Sequence, residues 1–343
     1  MTAAVSGATG FIGSAVVRKL LADGRKVRAL IEPGADATNL DDIMRELAGG
    51  SIGPGGADRL EQVTVDVCDY GGMTRALAGA TAFYHLAAIY KVWTPNPEAI
   101  YRVNLEGTTT SLLAARAAGV RRVVYTSSIA AVGLRDDGAP ADESTPFNLY
   151  DIANEYILTK HLSERIALRF AESGLPLVVV NPAFPFGPRD VAPTPTGRII
   201  VALLRGEVPG VGEGGFCAVD VDDVAAAHVA AETKGRVGER YILGNHNVTF
   251  RDFCHLVCEI GGKPAPKLPI PSMLGRGIAF GMELWSDHVS HREPAATLKG
   301  IKYMQRLAYF DGSKARRELD LPNTPLSTSI ERAVKYFRDR GRC

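Results

Sequence analysis

The chain has 343 residues, 46% of them hydrophobic and 22% charged, and a formal net charge of +1. That apolar content suffices for a sizeable core, and the balance of 39 basic against 38 acidic residues, with no basic stripe or acidic tail, argues against a nucleic-acid or polyanion partner. Five cysteines, Cys68, Cys217, Cys254, Cys258 and Cys343, are an odd number without framework spacing, which points to reduced thiols and a cytoplasmic location.

Over the first 130 residues short apolar runs alternate with helical segments, the signature of βαβ units and a parallel sheet. Thr2–Ser6 reads as the first strand, Phe11–Ala22 as a helix that stops at Asp23-Gly24, and residues 27–31 as the second strand. Residues 33–58 contain Ala48-Gly-Gly-Ser-Ile-Gly-Pro-Gly-Gly, a poor core former, and read as a loop or partly disordered insertion. Strands are expected at 63–66, 81–86 and 122–128, and helices at 70–78 and 97–118. A long helix over 152–173 and a strand over 177–181 follow, after which Pro- and Gly-rich loops begin. No leader with a charged start and a long apolar run opens the chain, and no stretch approaches the roughly 20 apolar residues that span a bilayer, so a soluble protein is expected.

Several conspicuous residues have structural explanations. Asp220, ahead of an alanine-rich run, caps a helix, Cys254-x3-Cys258 marks one helix face, and His288-x-x-His291 is a solvated turn. No metal site is expected. His85 reads as a polar anchor at a strand end.

Chemistry gathers at two places. Gly7, Gly10 and Gly13, with Phe11 and Ile12 between the last two, lie where a strand turns into a helix. Glycine there lets the backbone turn tightly and approach a pyrophosphate at the positive helix end. Glu32, at the end of the second strand, can bind ribose hydroxyls and repel a 2′-phosphate, which favours NAD over NADP. Further on, Tyr156 and Lys160 stand four residues apart on one helix face, so phenol and ammonium can reach one pocket. A cation beside a phenol favours its ionised form, as a general acid/base requires.

These motifs, with Asp66-Val67, His85-Leu-Ala-Ala88, Asn104-Leu-Glu-Gly-Thr, Tyr125-Thr-Ser-Ser128 and Asn181-Pro182, fall in an order that resembles the extended short-chain dehydrogenase/reductases. Within them the chain looks most like hopanoid-associated epimerase-like proteins, dihydroflavonol reductases and 3β-hydroxysteroid dehydrogenases. The resemblance implies an α/β fold, a Rossmann doubly wound parallel sheet over 1–182 with a smaller interleaved substrate-binding part over 183–343. Residues of about 217–245 are expected to return to the first domain. It makes Tyr156 the proton donor and acceptor, Lys160 the ligand of the nicotinamide ribose that lowers the tyrosine pKa, and Ser128 the partner of the substrate oxygen. Asp66 would meet the adenine amino group beside Val67, Leu86, Ala87 and Ala88 would pass under the cofactor, and Pro182, Ala183, Phe184 and Pro185 would border the nicotinamide. A homodimer through the helices over 97–118 and 152–173 is implied in the same way.

The substrate is left to the pocket. Nucleotide-sugar relatives carry a diphosphate-binding arginine where this chain has Phe216, and dihydroflavonol reductases an asparagine where it has Gly133. Tyr90, Trp93, Phe184, Phe186 and Phe216 could line an aromatic pocket, and the apolar run within 269–285 packs in the core, covers a lipid-like substrate or rests on a membrane. The first expectation is an NAD-dependent oxidoreductase that interconverts a hydrophobic secondary alcohol, steroid-like, terpenoid-like or aryl, and its ketone. A sugar epimerase or dehydratase with internal return of the hydride is the alternative. A non-catalytic NAD-binding regulator stands third, against the intact Ser128, Tyr156 and Lys160.

Overall fold

Ala3, Ala4 and Val5 are each 0% exposed, so the strand at the start of the chain is covered on both faces, as a central parallel strand requires. The computed structural model describes residues 1–53, 56–294 and 296–343. Among these, seven strands form one parallel sheet: β1 (Thr2–Ser6), β2 (Lys26–Ile31), β3 (Leu60–Thr64), β4 (Ala82–His85), β5 (Arg122–Thr126), β6 (Leu177–Pro182) and, far downstream, Arg240–Leu243. In space they run Arg240–Leu243, β6, β5, β4, β1, β2, β3. The order reverses between β1 and β4, and at such a reversal the connecting chains leave to opposite faces and open a crevice at the carboxyl ends of the strands.

Helices cover both faces. Phe11–Ala22 packs against Val221–Lys234 on one side, and Tyr70–Leu77, Thr108–Ala117 and Glu155–Glu172 line up on the other. The two apolar layers meet the sheet through alternate strand residues, Val124 and Val178 on one face, Val123 and Val179 on the other. Beyond β6, Gly215–Asp220 pairs antiparallel with His246–Thr249, while Phe184–Phe186 and Leu307–Ala308 share its other edge. Asp220 caps the helix Val221–Lys234 by accepting from the Asp222 N–H at 2.8 Å, and its carboxylate also accepts from Ser329 Oγ and Arg332. Cys254 and Cys258 are buried on one face of Phe250–Gly261 as free thiols.

Three expectations are corrected. Residues 33–58 are not simply a loop: Thr38–Ala48 is a helix whose Leu40, Ile43 and Leu47 are buried at helical spacing, an apolar face that the neighbouring glycines obscured. Pro54 and Gly55, inside that stretch, lie outside the described residues. The third strand is Leu60–Thr64 rather than 63–66, because it pairs with β2 in the register Val27 to Leu60 through Ile31 to Thr64. The helix expected over 97–118 is interrupted by a π-helical segment, Arg102–Gly107, between Glu98–Tyr101 and Thr108–Ala117.

Candidate active site

Gly7 adopts φ +67°, and a Cβ on it would lie 2.8 Å from the Ala87 nitrogen; one on Gly13 would lie 2.0 Å from the Gly7 carbonyl oxygen. Glycine at these positions therefore lets β1, the start of the helix Phe11–Ala22 and the chain leaving β4 come together. Gly10 is the N-cap of that helix, makes no side-chain cap, and is followed by no acidic residue in the first turn. The first backbone N–H groups of the helix point, without an internal partner, at the crevice where its dipole is positive. A pyrophosphate meets both requirements, so the cradle fits a dinucleotide.

A cleft of about 720 Å³ opens from this loop. Gly7, Gly10, Phe11, Ile12 and Gly13 form one end, with Glu32 just past β2 and Val67 past β3. Leu86, Ala87 and Ala88 leave β4 along one wall, and Pro182, Ala183, Phe184 and Pro185 stand on the other. Partial burial and Asp66 raise the pKa of Glu32, with Arg102 opposing. Asp66 does not reach the cleft wall; its carboxylate accepts from the Cys68 N–H at 2.8 Å and from Arg102 at 3.2 Å. His85 is buried beneath the floor, its Nδ1 2.8 Å from Ser6 Oγ, and burial pushes its pKa down to about 3, so it stays neutral.

Ser128, Tyr156 and Lys160 all line the same cleft. Asn154 caps the helix Glu155–Glu172 by accepting from the Ile157 N–H at 2.9 Å, which sets Tyr156 in its first turn and Lys160 one turn further on. Ser128 follows β5, and its carbonyl accepts from Asn181 Nδ2 at 2.9 Å. Desolvation pushes the Tyr156 phenol up to about 12, with the neighbouring Ser128 side chain opposing the rise. The lysine expected to lower that phenol is 5% exposed and donates to the Thr126 carbonyl at 2.8 Å. Burial brings its own pKa down to about 8, against the Glu164 carboxylate that raises it. Glu164 is itself buried, held by Arg240 at 2.8 Å and by Asn181.

The substrate side differs from the expectation. Tyr90 lines the cleft with its ring centroid 4.5 Å from that of Tyr156. Trp93 instead borders an adjoining recess of about 160 Å³ and donates its indole N–H to Asp287 at 3.1 Å. Phe186 and Phe216 are each 1% exposed and interlock with Phe253 in the C-terminal core, so neither faces the cleft. Gly133 answers a packing need, since a Cβ there would lie 1.9 Å from the Pro146 carbonyl oxygen. The wall is completed by Thr194, Thr196 and Ile199 of Pro195–Arg205 and its cap, and by Thr297, Ile301, Tyr303 and Met304. No local sequence pattern in 193–199 or 296–304 reveals which side meets the cleft. His288 and His291 are exposed. Among the described residues no three His, Cys, Asp or Glu side chains gather as a metal site, and no helix is long and apolar enough to cross a membrane.

Residues 3–244 match the model of the NAD dependent epimerase/dehydratase family. The chain is 35% identical over 342 residues to sterol demethylase protein B of Methylococcus capsulatus, covering 99% of each. It is 32% identical to cinnamoyl-CoA reductase 1 of Petunia hybrida, covering 98% of this chain and 92% of that one. Its structure is similar to that of PA4631, a nucleoside-diphosphate-sugar epimerase from Pseudomonas aeruginosa, with a TM-score of 0.79, 27% identity, and 100% and 99% of the two chains covered.

Proposed function

This chain belongs to the NAD dependent epimerase/dehydratase family and is an NAD(P)-dependent oxidoreductase, and from that premise we propose that it interconverts a hydrophobic secondary alcohol and its ketone. One observation carries the substrate class: the substrate side of the cleft is walled by Tyr90, Phe184, Ile199, Phe250, Ile301 and Met304, and no arginine is among the described lining residues. A nucleotide-sugar diphosphate asks for a charge-assisted clamp, and here Lys299 is the one cation on that side among those residues. An apolar ligand leaves no buried charge unpaired.

The loop Gly7 to Gly13 holds the pyrophosphate, Glu32 the adenosine ribose with NAD preferred to NADP, and Lys160 the nicotinamide ribose. The bound nicotinamide supplies the two-electron donor or acceptor. Tyr156 moves the proton: its phenol, pushed up to about 12, is protonated near neutrality and ready to donate to a ketone oxygen. Ser128 hydrogen-bonds that oxygen as charge develops on it. With substrate bound, the apolar wall excludes water from the reacting centre. Two copies pair through the helices within 97–118 and 152–173, where Leu113 is 44% exposed; sedimentation of the full chain tests the pairing.

The test follows absorbance at the nicotinamide band with sterols, terpenols, aryl alcohols, their ketones and nucleotide sugars. Net turnover with the apolar set is expected, and Tyr156→Phe should lower kcat/KM by about 10²–10⁴. Conversion of nucleotide sugars alone, with no net change in cofactor, would establish internal return instead. An unchanged Tyr156→Phe would remove the phenol from the mechanism.

A further inference from the structure

The helix Ser272–Trp285 is built inside out. Met273, Leu274, Ile278, Phe280, Leu284 and Trp285 are between 48% and 76% exposed, and at 3.6 residues per turn they cover about half of its circumference. Its two charged residues turn towards the protein: Arg276 donates to Gln305 Oε1 at 2.7 Å, and Glu283 accepts from the Leu298 N–H at 2.9 Å. Ala279 alone in the helix is buried. A helix exposed to water on that side would carry the opposite pattern. Leu268 and Val289, at 67% and 54% exposed, extend the apolar surface beyond both ends.

Charge identifies what covers it. Between residues 263 and 306 the chain has seven lysines and arginines against three aspartates and glutamates, although its overall net charge is only +1. Lys267, Arg292 and Lys299 are exposed and, among the described residues, are in no ion pair. A second copy docking through the same patch would set this excess of positive charge against itself. An anionic lipid surface complements it, and accepts an apolar helix lying in its plane.

We propose that the helix Ser272–Trp285 docks this protein on an anionic membrane, with its apolar face in the headgroup boundary and Lys267, Arg292 and Lys299 at the lipid phosphates. The neighbouring helix Leu298–Met304 packs beneath it and lends Gly300, Ile301 and Met304 to the cleft, so docking brings the substrate entrance to the lipid. The docking itself stands on the surface alone and holds whichever substrate the enzyme uses.

Flotation of the full chain with vesicles tests this, using phosphatidylcholine alone and phosphatidylcholine mixed with phosphatidylglycerol, at low and high salt. Binding to the mixed vesicles should exceed binding to the neutral ones by roughly tenfold, fall with salt, and shift tryptophan emission to shorter wavelength. Ile278→Ser/Phe280→Ser/Trp285→Ser changes only exposed side chains, so it should melt like the parent and bind NAD equally while losing roughly tenfold or more in vesicle binding. Lys267→Glu/Arg292→Glu should remove the preference for anionic lipid. The proposal is overturned if the parent chain stays with the aqueous phase, if the triple variant floats as the parent does, or if the patch proves to join two copies, seen as a lipid-free dimer that the triple variant splits. None of these readouts depends on turnover, so they fail separately from the substrate assignment.

Discussion

Gly10→Ala and Gly13→Ala separate holding the cofactor from holding the fold. A methyl group on Gly13 would sit 2.0 Å from the Gly7 oxygen, 1.4 Å short of the 3.4 Å at which ordinary contact begins. The neighbour is backbone, so the helix Phe11–Ala22 must move away from β1, against its packing on Val221–Lys234. Overpacking of this kind costs about 3 kcal/mol. On Gly10, at φ −73°, the methyl meets only the Gly7 oxygen at 3.3 Å and otherwise projects into the open cleft. Alanine is a poorer N-cap than glycine, so stability should fall by about 1 kcal/mol, still well short of the Gly13 variant. The same methyl enters the space where a pyrophosphate must approach the helix N–H groups, and loss of even one charge-assisted hydrogen bond lowers affinity by roughly tenfold or more. Urea unfolding and NAD titration of the two variants decide the matter. If Gly10→Ala binds NAD like the parent, the loop does not carry the pyrophosphate; if Gly13→Ala is as stable as the parent, the close approach of helix and strand is not needed.

Two further outcomes follow from charge. Glu32→Arg should raise the affinity for NADP relative to NAD by roughly tenfold or more, read by titrating both cofactors, and a parent chain that already prefers NADP would reverse the assignment of Glu32. Buried His85 and His228 have folded pKa values brought down by desolvation from 6.5 to about 3 and about 4, so the unfolded chain binds their protons first as pH falls. Their stabilisation is fully present well above pH 6.5 and is lost as pH falls through and below it, by roughly 2 kcal/mol for each between pH 6.5 and 4.5. His228→Gln should flatten this slope in urea unfolding, and a parent chain equally stable at both pH values would exclude neutral burial of the two rings.

What the sequence determined by itself was local. The glycine spacing states a backbone requirement, since Gly7 must take a positive φ and Gly13 must admit a carbonyl, and the i, i+4 spacing of Tyr156 and Lys160 puts both on one helix face whatever surrounds them. Apolar runs at β1, β5 and β6 likewise reveal strands covered on both sides. Which apolar residue faces what was decided only in three dimensions. Phe184 and Phe186 are two residues apart, yet the first reaches the cleft and the second is sealed in an aromatic cluster with Phe216 and Phe253. Hydrophobicity is non-directional, so composition cannot tell a pocket wall from a core layer, or either from the exposed face of Ser272–Trp285. The pairing of strands and helices distant in the chain makes that choice: residues 296–304 become a wall of the cleft because the fold brings them beside Tyr156, and no local pattern records it.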